Sequence, residues 1–131
     1  MAIVRFKVEH YMLELGVRNN AINNDRANVP FHQLLLKGTV NGAEIRVVME
    51  FWLGIELMTS SGPAEVGQYS LVQKRAVIKA RFIDFLNTYE VVRSEKPVFC
   101  TFTHTDSGPP HVILSSAIST QEEPVGEGPT D

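Results

Sequence analysis

Four histidines and one cysteine are the side chains of this sequence best suited to chemistry. His104 and His111 flank Asp106-Ser107-Gly108-Pro109-Pro110, a run of turn-forming residues. If the flanking segments pair, the two imidazoles meet across that turn. Imidazole serves as a metal ligand, a proton carrier or a hydrogen-bond partner near neutral pH. A metal would need a third ligand, and Asp106 lies between the two histidines. Against a metal, no His-X-His, His-X-X-X-His or Cys-X-X-Cys spacing occurs, and zinc sites usually carry such spacings. His104 and His111 are therefore read as candidates for a polar ligand, and no metal is assigned.

The remaining polar candidates are weaker. Cys100 stands among apolar neighbours in an alternating segment, where a thiol is usually inert packing. No Gly-X-Ser-X-Gly elbow and no phosphate-binding glycine pattern is present. No catalytic residue and no cofactor is assigned, and the reading leans away from an enzyme. Residues 16–30 are rich in asparagine, which suits turns. Within them Asn23, Asn24 and Arg26 offer amides and a guanidinium fork. With His32, His104 and His111 they form the candidate lining of a ligand cleft, placed between subunits.

These residues need elements to hold them. Residues 3–13 alternate with period two and predict a strand. Asn41-Gly42 predicts a two-residue hairpin turn joining 31–40 to 43–53, because both residues accept positive φ. That turn sets Val40 opposite Ala43, Leu36 opposite Val47 and Leu34 opposite Met49. Leu34, Leu36, Val40, Ile45, Val47, Met49 and Phe51 then share a core face. Ser70, with Gln73 three residues on, has capping-box spacing and predicts a helix to about Tyr89. Leu71, Ile78, Phe82, Phe85 and Tyr89 would form its apolar stripe. Residues 98–104 and 111–118 predict a second hairpin, with Cys100 opposite Ser115.

The resulting order, β-β-β-α-β-β, predicts an α+β fold: an antiparallel sheet of about five strands with one long helix packed on it. Residues 1–118 are read as a single domain. Residues 119–131 carry Glu122, Glu123, Glu127 and Asp131 and no basic residue, and are read as a disordered acidic tail. The net charge is −3, so the first 118 residues hold 12 basic against 11 acidic groups. A nearly neutral body argues against a nucleic-acid partner. Lys74, Arg75, Lys79 and Arg81 also split into two pairs flanking the expected apolar stripe, so they form no basic face. No stretch approaches the roughly 18 apolar residues of a membrane-spanning helix. One cysteine closes no intrachain disulfide, and a cytoplasmic location is expected.

One surplus remains. Phe31, Leu35, Val48 and Trp52 fall on the wetter side of the first hairpin. Val72 and Ala76 fall outside the expected helix stripe. A lone helix covers one sheet face, so these six residues predict a partner interface. The expected function is a non-enzymatic binding or adaptor protein that self-associates through an apolar sheet face as a homo-oligomer. The alternative is a protein that binds, sequesters or hydrolyses a small nucleotide-like or sugar-like ligand in a cleft between subunits.

Overall fold

The computed structural model describes residues 1–19, 28–52, 58–59, 62–63 and 66–121. The chain is mainly β: one eight-strand mixed sheet, strongly curled into a half-barrel, with a single short helix of 13 residues. This replaces the expected five-strand antiparallel sheet under a long helix. The strands are β1 (Ala2–Lys7), β2 (His10–Asn19), β3 (Asn28–Val40), β4 (Ala43–Trp52), β5 (Met58–Thr59), β6 (Gly62–Pro63), β7 (Gly67–Ser70), β8 (Arg75–Arg81), β9 (Val98–His104) and β10 (His111–Thr120). The large sheet has the order β1-β9-β10-β7-β8-β4-β3-β2, and β5 pairs with β6 separately. All neighbours are antiparallel except β4 and β8.

The hairpin at Asn41-Gly42 forms as the turn chemistry dictates. Asn41 has φ 52° and Gly42 φ 81°, the left-handed backbone that a type I′ turn requires. The register matches expectation, with Val40 opposite Ala43, Leu36 opposite Val47 and Leu34 opposite Met49. Leu34, Leu36, Ile45, Val47, Met49 and Phe51 are buried on the inner face, and Val40 packs at its edge. The hairpin of β9 and β10 also forms. A bulge between Ile113 and Ser115 shifts its register, so Cys100 lies opposite Ile118 and not Ser115. Ser119 and Thr120, expected in the tail, extend β10. The rest of the acidic tail, 122–131, lies outside the described residues.

The expected helix over 70–89 is the main correction. Residues 71–74 are a turn, with Lys74 at φ 52°. The Gln73 N–H does donate to Ser70 Oγ at 3.2 Å, the bond a capping box would make, but here it closes a turn. Arg75–Arg81 is then a strand of period two. Ala76 and Ile78 point inward, while Arg75, Lys79 and Arg81 are exposed. The helix begins later, as a 3-10 turn (Phe82–Asp84) leading into α1 (Phe85–Ser94). Arg81 Nε donates to Asp84 Oδ2 at 2.9 Å across that start. Phe85, Tyr89 and Val92 pack toward the core, so the second half of the expected stripe is helical.

The expected strand over 3–13 is two strands meeting at Val8-Glu9. The Val8 N–H donates to Val98 O at 2.8 Å, and the Glu9 N–H donates to Lys37 O at 2.8 Å. Consecutive strands thus occupy opposite ends of the sheet order, and the curl brings those ends together. Gly38 permits the approach: a Cβ there would lie 2.3 Å from Lys7 O and 2.4 Å from Phe6 Cδ2. The expected loop over 16–30 is narrower than its composition suggested, because β2 continues to Asn19 and β3 starts at Asn28.

Candidate functional site

His104 ends β9 and His111 begins β10. Both lie on the inner face of the sheet, 5% and 8% exposed. Their ring centroids are 5.2 Å apart. Each Nδ1 lies 2.9 Å from one atom, the backbone carbonyl oxygen of Thr105. A carbonyl only accepts, so each Nδ1 carries its proton and donates it. This fixes the orientation of both rings.

Thr105 is itself held from several directions. Its N–H donates to Val112 O at 2.9 Å. Its hydroxyl donates to Ser107 O at 3.0 Å and accepts the Val112 N–H at 3.0 Å. The hairpin loop therefore presents a fixed acceptor, and the two histidines converge on it. Tyr69 flanks the pair, its ring 5.0 Å from that of His104, with its phenol pKa raised by burial. Asp106 is engaged elsewhere. Its carboxylate accepts from the amino-terminal ammonium of Met1, and that hydrogen bond holds its pKa below the ordinary value.

His32 does not join this pair. It lies on β3 opposite Phe51, which pairs with Ala80. His111 lies opposite Tyr69, which pairs with Ala76. Ala76 and Ala80 are four positions apart on β8, about 13 Å at strand rise. His32 instead stacks on Phe82 at 4.4 Å and tilts against Phe85 at 4.2 Å. Its Nδ1 is buried with no hydrogen-bond partner among the described residues. Burial depresses its pKa below 6.5. Asn23, Asn24 and Arg26 lie outside the described residues, so of the expected cleft only His104 and His111 are brought together.

The expected interface residues also separate. Phe31, Leu35, Val48 and Trp52 are half-buried. Leu35 and Val48 line a shallow outer depression of about 120 Å³ with Met12, Glu14, Gln33, Glu50 and Arg75. Gln33 donates to Glu50 at 3.1 Å in this depression. Val72 is 94% exposed in the turn before β8. Ala76 is fully buried beneath the inner face and cannot belong to a surface.

A cavity of about 380 Å³ lies between α1 and the sheet. Met49, Ile78, Cys100 and Ile118 line it, with Asn87 and Thr88 from the helix. Burial pushes the Cys100 thiol up to about 12, so the nucleophilic thiolate is scarce at neutral pH. Thr88 Oγ1 donates to Asp84 O at 2.9 Å. Sequence reasoning missed both this cavity and the role of Thr105, because a backbone carbonyl leaves no mark in residue type. Among the described residues no group of three His, Cys, Asp or Glu side chains could hold a metal, and no helix is long and apolar enough to cross a membrane. Comparison with protein-family models, curated proteins and solved structures finds no match.

Proposed function

We propose that this is a non-enzymatic binding protein that self-associates through β2. One observation carries the reading. β2 closes the sheet order with no strand on its outer side among the described residues. It also holds four large exposed apolar side chains: Tyr11 at 42%, Met12 at 55%, Leu15 at 57% and Val17 at 66%. Leu13 between them packs on the core, so Tyr11, Leu15 and Val17 share its inner face and Met12 the outer one.

A ten-residue free edge is a template for another strand. The occupant proposed is a second copy, pairing β2 antiparallel to itself about a two-fold axis. Such an interface is self-complementary, and each apolar residue meets an equivalent set. Full burial of a large apolar side chain contributes about 1.5–3 kcal/mol. Four half-exposed side chains on each of two copies therefore contribute roughly 6–12 kcal/mol. Association costs at least about 4 kcal/mol. The balance predicts a reversible dimer in roughly the micromolar to millimolar range.

Sedimentation velocity over a concentration series tests this. The sedimentation coefficient should rise with concentration for the native chain and stay at the monomer value for Leu15→Lys/Val17→Lys. Both sites are exposed, so the double variant should keep its fold, with about 0.5 kcal/mol or less lost per site. A native chain that stays monomeric throughout the series overturns the proposal.

A second reading rests on the cavity under α1. Its volume lies in the ordinary range of small-ligand pockets, roughly 300–1,000 Å³. Among the described residues no lysine or arginine lines it, while Asp84 does, which disfavours a nucleotide and its phosphates. Thermal-shift screening with nucleosides, sugars and apolar probes separates the classes. Stabilisation by none of them removes this reading and leaves self-association untouched.

A further inference from the structure

We propose that the cavity under α1 takes a small uncharged aromatic molecule of about two fused rings, carrying one hydroxyl or N–H group. The proposal rests on the small-ligand reading of that cavity and names the class of ligand. Its first support is a gap in the sheet. The β10–β7 ladder covers only His111–Ile113, and the β7–β8 ladder ends with Gly67 opposite Ile78. One further bond, from the Lys79 N–H to Val66 O at 2.8 Å, extends that seam. Beyond it, among the described residues, no strand lies between β10 from Leu114 onward and β8 from Ala80 onward. Ala80 from one edge and Ser116, Ala117 and Ile118 from the other line the cavity, with α1 on its inner side. The space thus follows from the strand order and not from loose packing of the core.

The cavity is apolar at depth and polar at its mouth. Met49, Ile78 and Cys100 are buried, while Asn87 and Ser116 are exposed. The Met49 thioether is a favourable partner for an aromatic ring. Burial keeps the Cys100 thiol protonated at neutral pH, so the floor carries no charge. An apolar cavity of about 150 Å³ holds a benzene ring. The volume here, about 380 Å³, admits a second fused ring and leaves room for a polar head. At the mouth, neither the Asn87 amide nor the Ser116 hydroxyl has a hydrogen-bond partner among the described residues, and both can accept from a ligand. Asp84 is the one charged lining group among the described residues, and it only accepts. A donor head therefore fits. An anionic head does not, because it would face that carboxylate with no lysine or arginine in the lining.

The test uses the full chain at neutral pH with 2-naphthol, naphthalene and 2-naphthoate, which share the ring body and differ in the head. Fluorescence titration should show saturable binding of 2-naphthol. It should be about fivefold tighter than naphthalene for the added hydrogen bond, and about tenfold or more tighter than 2-naphthoate. Methyl NMR spectra of the native protein locate the ligand: Met49, Ile78 and Ile118 should shift, and Ile45 should not. Ala80→Leu narrows the cavity from its β8 wall and should weaken 2-naphthol by about tenfold or more. The native spectra read the site directly even if that variant misfolds. Absence of saturable 2-naphthol binding overturns the ligand class. So does equal or tighter binding of naphthalene or 2-naphthoate, or shifts confined to other methyls. The small-ligand reading survives such a result if a sugar or nucleoside shifts the same three methyls, and falls if no compound does.

Discussion

The two histidine environments of this sheet have opposite designs. At one end His104 and His111 are nearly buried, yet each donates to a carbonyl held by the Thr105 network. On β3 His32 is less buried, but it faces two phenylalanine rings and its Nδ1 finds no partner among the described residues. Burial alone does not decide how an imidazole behaves. What matters is whether the polar atom taken from water meets a replacement. The satisfied pair is an oriented donor set, and the unsatisfied ring is a packed slab that resists charge.

Breaking the apolar slot should give the largest effect. Phe85 is 5% exposed and its ring contacts His32, Phe51 and Tyr89. Phe85→Ala should cost about 3–5 kcal/mol in urea unfolding. It should also raise the His32 pKa toward 6.5, read by NMR titration, because water then reaches the ring. A stability change without that titration shift would show that the phenylalanine does not set the histidine's charge state.

The polar end should break more gently. Thr105→Val removes the hydroxyl that accepts the Val112 N–H and donates to Ser107 O. The expected loss is about 1–2 kcal/mol, with slowed exchange lost at the Val112 amide. The carbonyl remains, so both histidines should keep their Nδ1 protons. If those protons disappear, the loop network and not the carbonyl alone orients the pair.

The smallest effect sharpens the contrast through pH. The folded state disfavours charged His32, whose unfolded reference is 6.5. Between the depressed folded pKa and 6.5 the unfolded chain binds more protons, so stability rises with pH there. His32's contribution is complete above about 6.5 and is lost as pH falls toward the folded value. His32→Leu should therefore flatten the stability profile on the acid side of 6.5, with little change at pH 8. A profile unchanged by His32→Leu would remove His32 as the source of that slope.

The fold shows the same division between local and distant causes. Asn41-Gly42 specifies its own turn, and period-two alternation on either side then fixes which residues face inward. The first hairpin was legible in register for that reason, whereas of the second only its existence was, because the bulge between Ile113 and Ser115 shifts Cys100 from Ser115 to Ile118. β8 was legible in principle, since Arg75-Ala76-Val77-Ile78-Lys79-Ala80-Arg81 alternates. The helical spacing of Leu71, Ile78, Phe82, Phe85 and Tyr89 competed with that pattern, and two of those five residues belong to a turn and a strand. The strand prevails because parallel pairing with β4 buries Ala76 and Ile78 beside Val47 and Met49.

The sequence by itself determined the two hairpins, the inner face of β3 and β4, and the meeting of His104 with His111 across their turn. Each follows from turn residues and side-chain alternation within a few positions, except the register of the second hairpin, which the bulge at Ile113/Ser115 resets. Only the tertiary structure decided the parallel pairing of β4 with β8, the closure at Val8-Glu9, the place of β2 at the end of the sheet order and the carbonyl on which both histidines converge. Those features join residues far apart in the chain, or use backbone atoms that every residue type shares. Periodicity does not encode them, and the curl of the assembled sheet does.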